Sequence, residues 1–90
     1  MVIVYKIQYH KKAVKEIENL KANKLEKKAK KLVEIIKQNP YQTPPPYEKL
    51  TGDLTCFYSR RINIQHRLVY QILENEKIIK IISMWSHYEL

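Results

Sequence analysis

The spacing of apolar residues divides the chain into a strand, two helices and a C-terminal part rich in strands. Residues 2–9 are mostly β-branched or aromatic, which is typical of a strand. The apolar positions that follow recur every three or four residues and predict an amphipathic helix over 11–22. A second apolar stripe, out of register with the first, predicts another helix over 24–38. Asn23 lies between the stripes, where we expect it to end the first helix in a left-handed conformation.

The middle of the chain is rich in proline, whereas the C-terminal part is rich in strand-forming residues. All four prolines and the one glycine lie within 39–53. Because proline fixes φ and has no N–H donor, this segment is predicted to be a stiff loop. Three strands are predicted after it, at 54–63, 66–73 and 77–87, joined by short turns. The predicted order is β-α-α-β-β-β, an α+β fold whose helix hairpin packs on a twisted, mainly antiparallel sheet.

Composition narrows the class of protein. A chain of 90 residues fits one small domain, spanning 1–90, and its one glycine excludes dinucleotide-binding and P-loop motifs. A lone cysteine, Cys56, excludes an internal disulfide and a thiolate zinc site. No apolar run approaches the roughly 20 residues of a membrane span, and no signal peptide is recognisable. We therefore expect a cytoplasmic protein that does not bind a membrane.

The charge of the chain is strongly positive. Seventeen lysines and arginines against nine acidic residues give a net charge of +8, which favours a polyanionic partner such as RNA or DNA. Four of the lysines lie close together in the second predicted helix: Lys27, Lys28, Lys30 and Lys31. They form either a solvated outer face or a phosphate-binding surface. Lysine alone does not distinguish these alternatives, because its attraction to phosphate leaves no sequence signature.

Arginines occur within the predicted strands. Arg60 and Arg61 interrupt one strand, and Arg67 stands near the start of the next. Alternation along a strand puts Arg60 and Arg61 on opposite faces of the sheet. Because the two strands are predicted to pair antiparallel around a turn near residue 64, we expect Arg61 and Arg67 to be neighbours on one face.

A carboxylate and an imidazole complete a set of groups suited to RNA cleavage. Glu48 comes from the proline-rich loop, and His87 ends the last predicted strand. Cleavage by internal transfer needs a base for the ribose 2′-OH, an acid for the departing 5′-oxygen, and cations for the phosphate oxygens. It needs no metal or other cofactor, and no metal-ligand spacing is present. Taken singly, each residue also has a structural interpretation, such as a helix-capping or solvated carboxylate.

Several motifs in a fixed order are more specific than any single residue. They are Glu48–Leu50, Ser-Arg-Arg-Ile at 59–62, His-Arg-Leu-Val-Tyr at 66–70, and a closing His-Tyr at 87–88. Over residues 47–88 the sequence resembles the YoeB/Txe toxins, a branch of the RelE superfamily of bacterial toxin–antitoxin modules. The resemblance implies a RelE-like fold and a ribosome-dependent endonuclease (mRNA interferase) that cuts mRNA in the ribosomal A site and so inhibits translation.

The resemblance also implies catalytic roles for four residues. Glu48 matches the general base of these toxins, and Arg67 matches the arginine that stabilises the reacting phosphate. His87 matches the general acid, and Tyr88 matches the tyrosine that orients the substrate. The expected products are a 2′,3′-cyclic phosphate, or its opened form, and a 5′-OH end.

Three further cations are expected to bind RNA phosphate. Arg61 matches another arginine that lines the active site of these toxins, and Arg60 and Lys49 lie within the matching motifs. The sequence departs from the family pattern at Thr51, where a lysine is common, and at Cys56, where a glycine is common.

The resemblance implies partners as well. A YefM-like antitoxin would neutralise the basic toxin with an acidic C-terminal segment, and the 70S ribosome with its mRNA would be the target. Operator DNA would be contacted only through the antitoxin, and close relatives are often homodimers.

Two other functions share this fold. One is a non-catalytic module that binds an antitoxin and acts as a transcriptional co-repressor, and the other is a ParE-like gyrase poison. A pure binder needs no carboxylate among its arginines, and gyrase poisons generally lack this acid–base set. The sequence therefore favours the endonuclease.

Overall fold

The computed structural model describes residues 4–50 and 57–86, which form two helices packed on a five-stranded sheet. In chain order the elements are β1 (Lys6–Tyr9), α1 (Lys11–Ala22), α2 (Glu26–Gln38), β2 (Glu48–Lys49), β3 (Phe57–Arg61), β4 (Arg67–Leu73) and β5 (Ile78–Ser86). The strands lie in the order β1-β5-β4-β3-β2. β1 runs parallel to β5, and the other three pairs are antiparallel. The predicted α+β class, helix hairpin and mainly antiparallel sheet are confirmed.

The proline-rich segment differs from the prediction. It was expected to be loop throughout, but Glu48 and Lys49 form the short strand β2, whose register partners in β3 are Ser59 and Tyr58. Two residues are too few to show an alternating pattern, so the sequence could not indicate this strand. The strand predicted over 54–63 is described from Phe57 onward, and its first residues lie outside the described part of the chain.

The turn between the helices also differs in detail. Asn23 has φ −104°, and Lys24 takes the left-handed conformation instead, with φ 57°. The physical reason is that Asn23 still completes α1, since its backbone N–H and its side-chain amide both donate to the carbonyl of Asn19. The chain therefore reverses one residue later than predicted, and α2 begins at Glu26 rather than at residue 24.

The apolar stripes of both helices pack on one face of the sheet. The buried cluster contains Ala13 and Leu20 of α1; Ala29, Leu32, Val33 and Ile36 of α2; Leu68, Tyr70 and Ile72 of β4; and Ile79 and Ile81 of β5. This arrangement confirms the prediction that the hairpin covers one face. No helix among residues 4–50 and 57–86 is long and apolar enough to cross a membrane.

The turn between β3 and β4 sets the register of the two arginine-bearing strands. The side-chain Oδ1 of Asn63 accepts hydrogen bonds from the backbone N–H groups of Gln65 at 2.9 Å and His66 at 2.7 Å. An asparagine that bonds to the backbone two residues on stabilises a tight turn. In the resulting register Arg61 lies directly opposite Arg67, as the sequence predicted.

Glu74, in the turn between β4 and β5, connects that turn to two distant segments. Its carboxylate accepts hydrogen bonds from the hydroxyls of Tyr5 at 2.7 Å and Tyr41 at 3.0 Å, and from Lys77 Nζ at 2.8 Å. The Lys77 contact, followed by the Tyr5 hydroxyl, lowers the pKa of Glu74 from 4.5 to about 2. The stabilisation from this carboxylate is therefore fully present above about pH 4.5 and is lost as the pH falls toward 2.

We expect Glu74→Gln to lower the urea midpoint of unfolding at pH 7, because an uncharged amide cannot pair with Lys77. The difference from the wild type should narrow between pH 4.5 and 2, where the native carboxylate becomes protonated. Urea unfolding over pH 2–7 measures this difference, with Glu76→Gln in the same turn as the control. A constant difference across the range would contradict the assignment.

Candidate functional site

Strands β2, β3 and β4 place a carboxylate and two arginines on one face of the sheet. Glu48 is the register partner of Ser59, and Arg61 is the register partner of Arg67. Directly opposite residues in an antiparallel pair share a face, and so do residues two apart along a strand. Glu48, Ser59, Arg61 and Arg67 therefore lie on the same face of three adjacent strands.

Arg67 contacts two members of this group. Its Nη1 lies 3.2 Å from Oε2 of Glu48 and donates to Oγ of Ser59 at 3.3 Å. The side chains of Arg67 and Glu48 are 21% and 51% exposed, so a substrate can reach the pair from solvent. A guanidinium carries five N–H donors, more than these two contacts use, and its planar fork matches phosphate oxygens.

The four residues line a cleft of about 220 Å³, together with Pro46 and Tyr47. Two guanidiniums against one carboxylate give the cleft a net positive charge. Like charges directly opposite on antiparallel strands destabilise the pair, so the Arg61–Arg67 pairing is better suited to holding an anion than to stabilising the sheet. Among residues 4–50 and 57–86, no group of three or more His, Cys, Asp or Glu could hold a metal ion.

The end of β5 reaches the same cluster. Ser86, the last described residue of β5, is the register partner of Arg67. His87 follows Ser86 in the sequence. His87 and Tyr88 lie outside the described residues, so the roles expected of them stay predictions. Thr51 and Cys56, where the sequence departs from the family pattern, also lie outside the described residues.

Helix α1 holds the irregular part of β5 that leads toward the cluster. The register between β4 and β5 shifts on both sides of Val69. Near this irregularity the carboxylate of Glu16 accepts hydrogen bonds from the Ser83 hydroxyl and from the Met84 backbone N–H, both at 3.1 Å. Irregularities of this kind are frequent beside active sites. Glu16 is not recognisable from the sequence, where it has the pattern of an ordinary helix-surface carboxylate.

Arg60 lies in the interior, 1% exposed. Its guanidinium donates to the Tyr70 hydroxyl at 3.0 Å, to the Pro40 carbonyl at 3.0 Å and to the Pro45 carbonyl, and it lies 5.0 Å from the ring centre of Tyr47. Burial raises the pKa of the Tyr70 hydroxyl, which stays protonated and donates to Pro40. A guanidinium buried in this way is not accessible to a phosphate, so Arg60 does not fit the phosphate-binding role expected from the sequence. Through these hydrogen bonds Arg60 holds the proline-rich segment that precedes β2 against β3.

Lys49 is exposed but is not brought into the cluster. It follows Glu48 in β2, so alternation puts it on the opposite face. Its register partner is Tyr58, which packs partly against the hydrophobic core. The phosphate contact expected of Lys49 therefore does not fit the geometry of this cleft. Of the three cations expected to bind phosphate, the structure brings only Arg61 to the cleft.

The chain is similar to known proteins in sequence and in fold. Residues 9–88 match the family model described as YoeB-like toxin of bacterial type II toxin–antitoxin system. Toxin YoeB from Synechocystis sp. is 38% identical over 66 residues, which cover 73% of this chain and 74% of the relative.

Solved structures of YoeB toxins are also similar to this chain. A heterotetrameric YoeB–YefM complex and a YoeB dimer, both from Staphylococcus aureus, are 35% and 34% identical. Each comparison covers 96% of this chain and 100% of the other, with a TM-score of 0.78. An archaeal RelE–RelB complex from Pyrococcus horikoshii OT3 shares the fold with a TM-score of 0.72 at 24% identity, covering 98% of this chain and 100% of the other.

The family resemblance and the RelE-like fold predicted from the sequence are thus confirmed. The match to the family model extends well beyond residues 47–88, where the diagnostic motifs lie, and includes both helices. This chain belongs to the YoeB family of toxins from bacterial type II toxin–antitoxin systems.

Proposed function

We propose that this toxin is an endoribonuclease, an mRNA interferase that cuts mRNA in the ribosomal A site by metal-independent internal transfer. The observation that carries the proposal is the contact between Glu48 and Arg67, with Arg61 opposite, in one solvent-accessible cleft. A site that only binds an anion needs no carboxylate among its arginines, whereas internal transfer needs a base beside the cations. We propose residues 1–90 as one catalytic domain.

Glu48 is the general base in this mechanism. Its half-exposed carboxylate takes the proton of a ribose 2′-OH, and the 2′-oxygen attacks the adjacent phosphorus. The bond between that phosphorus and the 5′-oxygen of the next nucleotide breaks. The products are a 2′,3′-cyclic phosphate and a 5′-OH end.

Arg67 and Arg61 stabilise the charge that develops on the non-bridging phosphate oxygens. Ser59 and Glu48 hold the Arg67 guanidinium before a substrate binds, so little reorganisation is needed when the charge appears. Each such pre-oriented donor contributes about 10²–10³-fold to the rate.

His87 is the proposed general acid that protonates the departing 5′-oxygen, and Tyr88 is proposed to orient the substrate. Ser86, which precedes His87 in the chain, is the register partner of Arg67. Histidine suits the role because its usual pKa lies near neutrality.

The partners that we propose for this toxin rest on structures of its relatives and on its positive net charge. The YoeB–YefM complex of the S. aureus relative supports a YefM-like antitoxin, and the net charge of +8 suits an acidic antitoxin segment. The YoeB dimer from the same organism supports a homodimer. We propose the 70S ribosome and its mRNA as the target, with operator DNA contacted only through the antitoxin.

A defined mRNA tests this function. The toxin is expected to cut it within the A-site codon of programmed 70S ribosomes, and to leave the same mRNA uncut without ribosomes. Primer extension locates the cut, and addition of the antitoxin should abolish it. A folded toxin that binds an acidic antitoxin peptide but cuts no RNA would favour the non-catalytic co-repressor instead.

A further inference from the structure

A second groove lies beside the candidate site, between α2 and the end of β3. It has a volume of about 310 Å³, and its charged lining residues are Lys28, Lys31 and Arg61. Its apolar lining includes the buried side chains of Leu32 and Ile62. No carboxylate occurs among the described residues that line it. We name this feature the basic groove.

The basic groove continues from the candidate active site. Arg61 lines both the groove and the cleft that contains Glu48 and Arg67. Arg61 is exposed and lies directly opposite Arg67. A polyanion held at Arg67 can therefore extend past Arg61 toward the two lysines without leaving positively charged surface.

The lysines of α2 divide into two pairs. Lys28 and Lys31 are exposed, are three residues apart and line the basic groove together, as neighbours on one helix face do. Lys27 and Lys30 have the same spacing but line two other depressions and not the basic groove, although Lys27 is also an i,i+4 neighbour of Lys31. The sequence left open whether all four lysines are solvated or bind phosphate, and the structure separates one pair from the other.

We propose that the basic groove binds the backbone of the single-stranded RNA substrate next to the phosphate that reacts at Glu48 and Arg67. This proposal rests on the proposed function and extends its site. Lys28, Lys31 and Arg61 supply cations for successive phosphates. The apolar lining suits the apolar faces of the sugar and base. An acidic peptide is the competing occupant.

The test compares two variants with the same change in charge on the same helix. Lys28→Gln/Lys31→Gln alters the groove, and Lys27→Gln/Lys30→Gln is the matched control. Both pairs are exposed, so both variants should melt like the wild type. The probe is a labelled oligoribonucleotide with a 2′-deoxy nucleotide at the cut site, so that it binds without being cleaved. Fluorescence anisotropy gives its affinity between 50 and 200 mM salt.

Loss of two phosphate contacts on a single strand reduces the slope of log K against log salt by about 1.4. Over this fourfold salt range, the affinity of the wild type should therefore fall about sevenfold more than that of the Lys28/Lys31 variant. The control variant should keep nearly the slope of the wild type. Equal slopes for the two variants, or no binding by the wild type at 50 mM salt, would overturn the proposal.

Cleavage of mRNA on programmed ribosomes, measured with the same proteins, distinguishes failure of this proposal from failure of the proposed function. If the wild type cuts mRNA on ribosomes and the two variants lose RNA affinity equally, the groove assignment fails and the function stands. If the wild type cuts nothing but only the Lys28/Lys31 variant loses salt dependence, the function fails and the groove stands as an RNA-binding site without its link to a reacting phosphate. If that variant binds RNA normally but loses affinity for an acidic antitoxin peptide, the groove holds the peptide and the proposal is wrong.

Discussion

Replacing Glu48 by glutamine should lower the rate of mRNA cleavage on programmed ribosomes by about 10²–10⁴-fold, the usual contribution of a general base. Glutamine has nearly the same shape and can still accept a hydrogen bond from Arg67, but it cannot take the 2′-OH proton. The Glu48–Arg67 pair is partly exposed, so the melting temperature should change little. Single-turnover cleavage with saturating toxin measures the effect.

The matched control for this prediction is Glu18→Gln, which neutralises an exposed carboxylate on α1. It makes the same change in net charge and should cleave at the wild-type rate. A Glu48→Gln toxin that also cleaves at the wild-type rate would remove Glu48 from the base role. Arg67 would then have to be paired with a different base.

Replacing Arg60 by methionine should have the largest effect on stability. The substitution leaves the carbonyls of Pro40 and Pro45 and the hydroxyl of Tyr70 without the buried donor they now share. Each hydrogen bond to a charged group is worth about 1.5–3 kcal/mol, so we expect a loss of at least about 3 kcal/mol in the free energy of unfolding. For a domain of this size that corresponds to a melting temperature lower by about 12 °C or more.

The neighbouring arginine provides the control. Arg61 is exposed, so Arg61→Met should change the free energy of unfolding by less than about 0.5 kcal/mol while slowing cleavage. Thermal unfolding and the cleavage assay on the same two variants give the comparison. Arg60→Lys should lie between Arg60→Met and the wild type in stability, because an ammonium retains the charge but lacks the planar fork. An Arg60→Met protein as stable as the wild type would contradict the structural role.

The positions of the two adjacent arginines, Arg60 and Arg61, were only partly predictable from the sequence. Alternation correctly separates Arg60 from Arg61, and the local turn at Asn63 makes the Arg61–Arg67 register predictable. The sequence alone did not show that the face of Arg60 is the buried one. That outcome depends on Pro40 and Pro45, which arrive from a segment 15 or more residues away.

The long-range pairings could not be derived from local pattern. The helices were predictable because their apolar stripes have a helical period and pack on the sheet. In contrast, the parallel pairing of β1 with β5 and the contact of Glu16 with Ser83 join the two ends of the chain. Strand β2 is also set by its partner β3, and it places Glu48 beside Arg67. The family motifs indicated Glu48 as a site residue, but not the strand that positions it.

The measurement that tests the central claim most directly is cleavage of an mRNA with a single 2′-deoxy nucleotide immediately before the phosphate that is cut. Programmed ribosomes carrying this mRNA and the unmodified one are treated with the same toxin. If the Glu48–Arg67 site works by internal transfer, the unmodified mRNA yields a 2′,3′-cyclic phosphate and a 5′-OH end, and the modified mRNA stays intact at that position. Cleavage of the modified mRNA at the same phosphate would show that the 2′-OH is not the nucleophile and would contradict the mechanism.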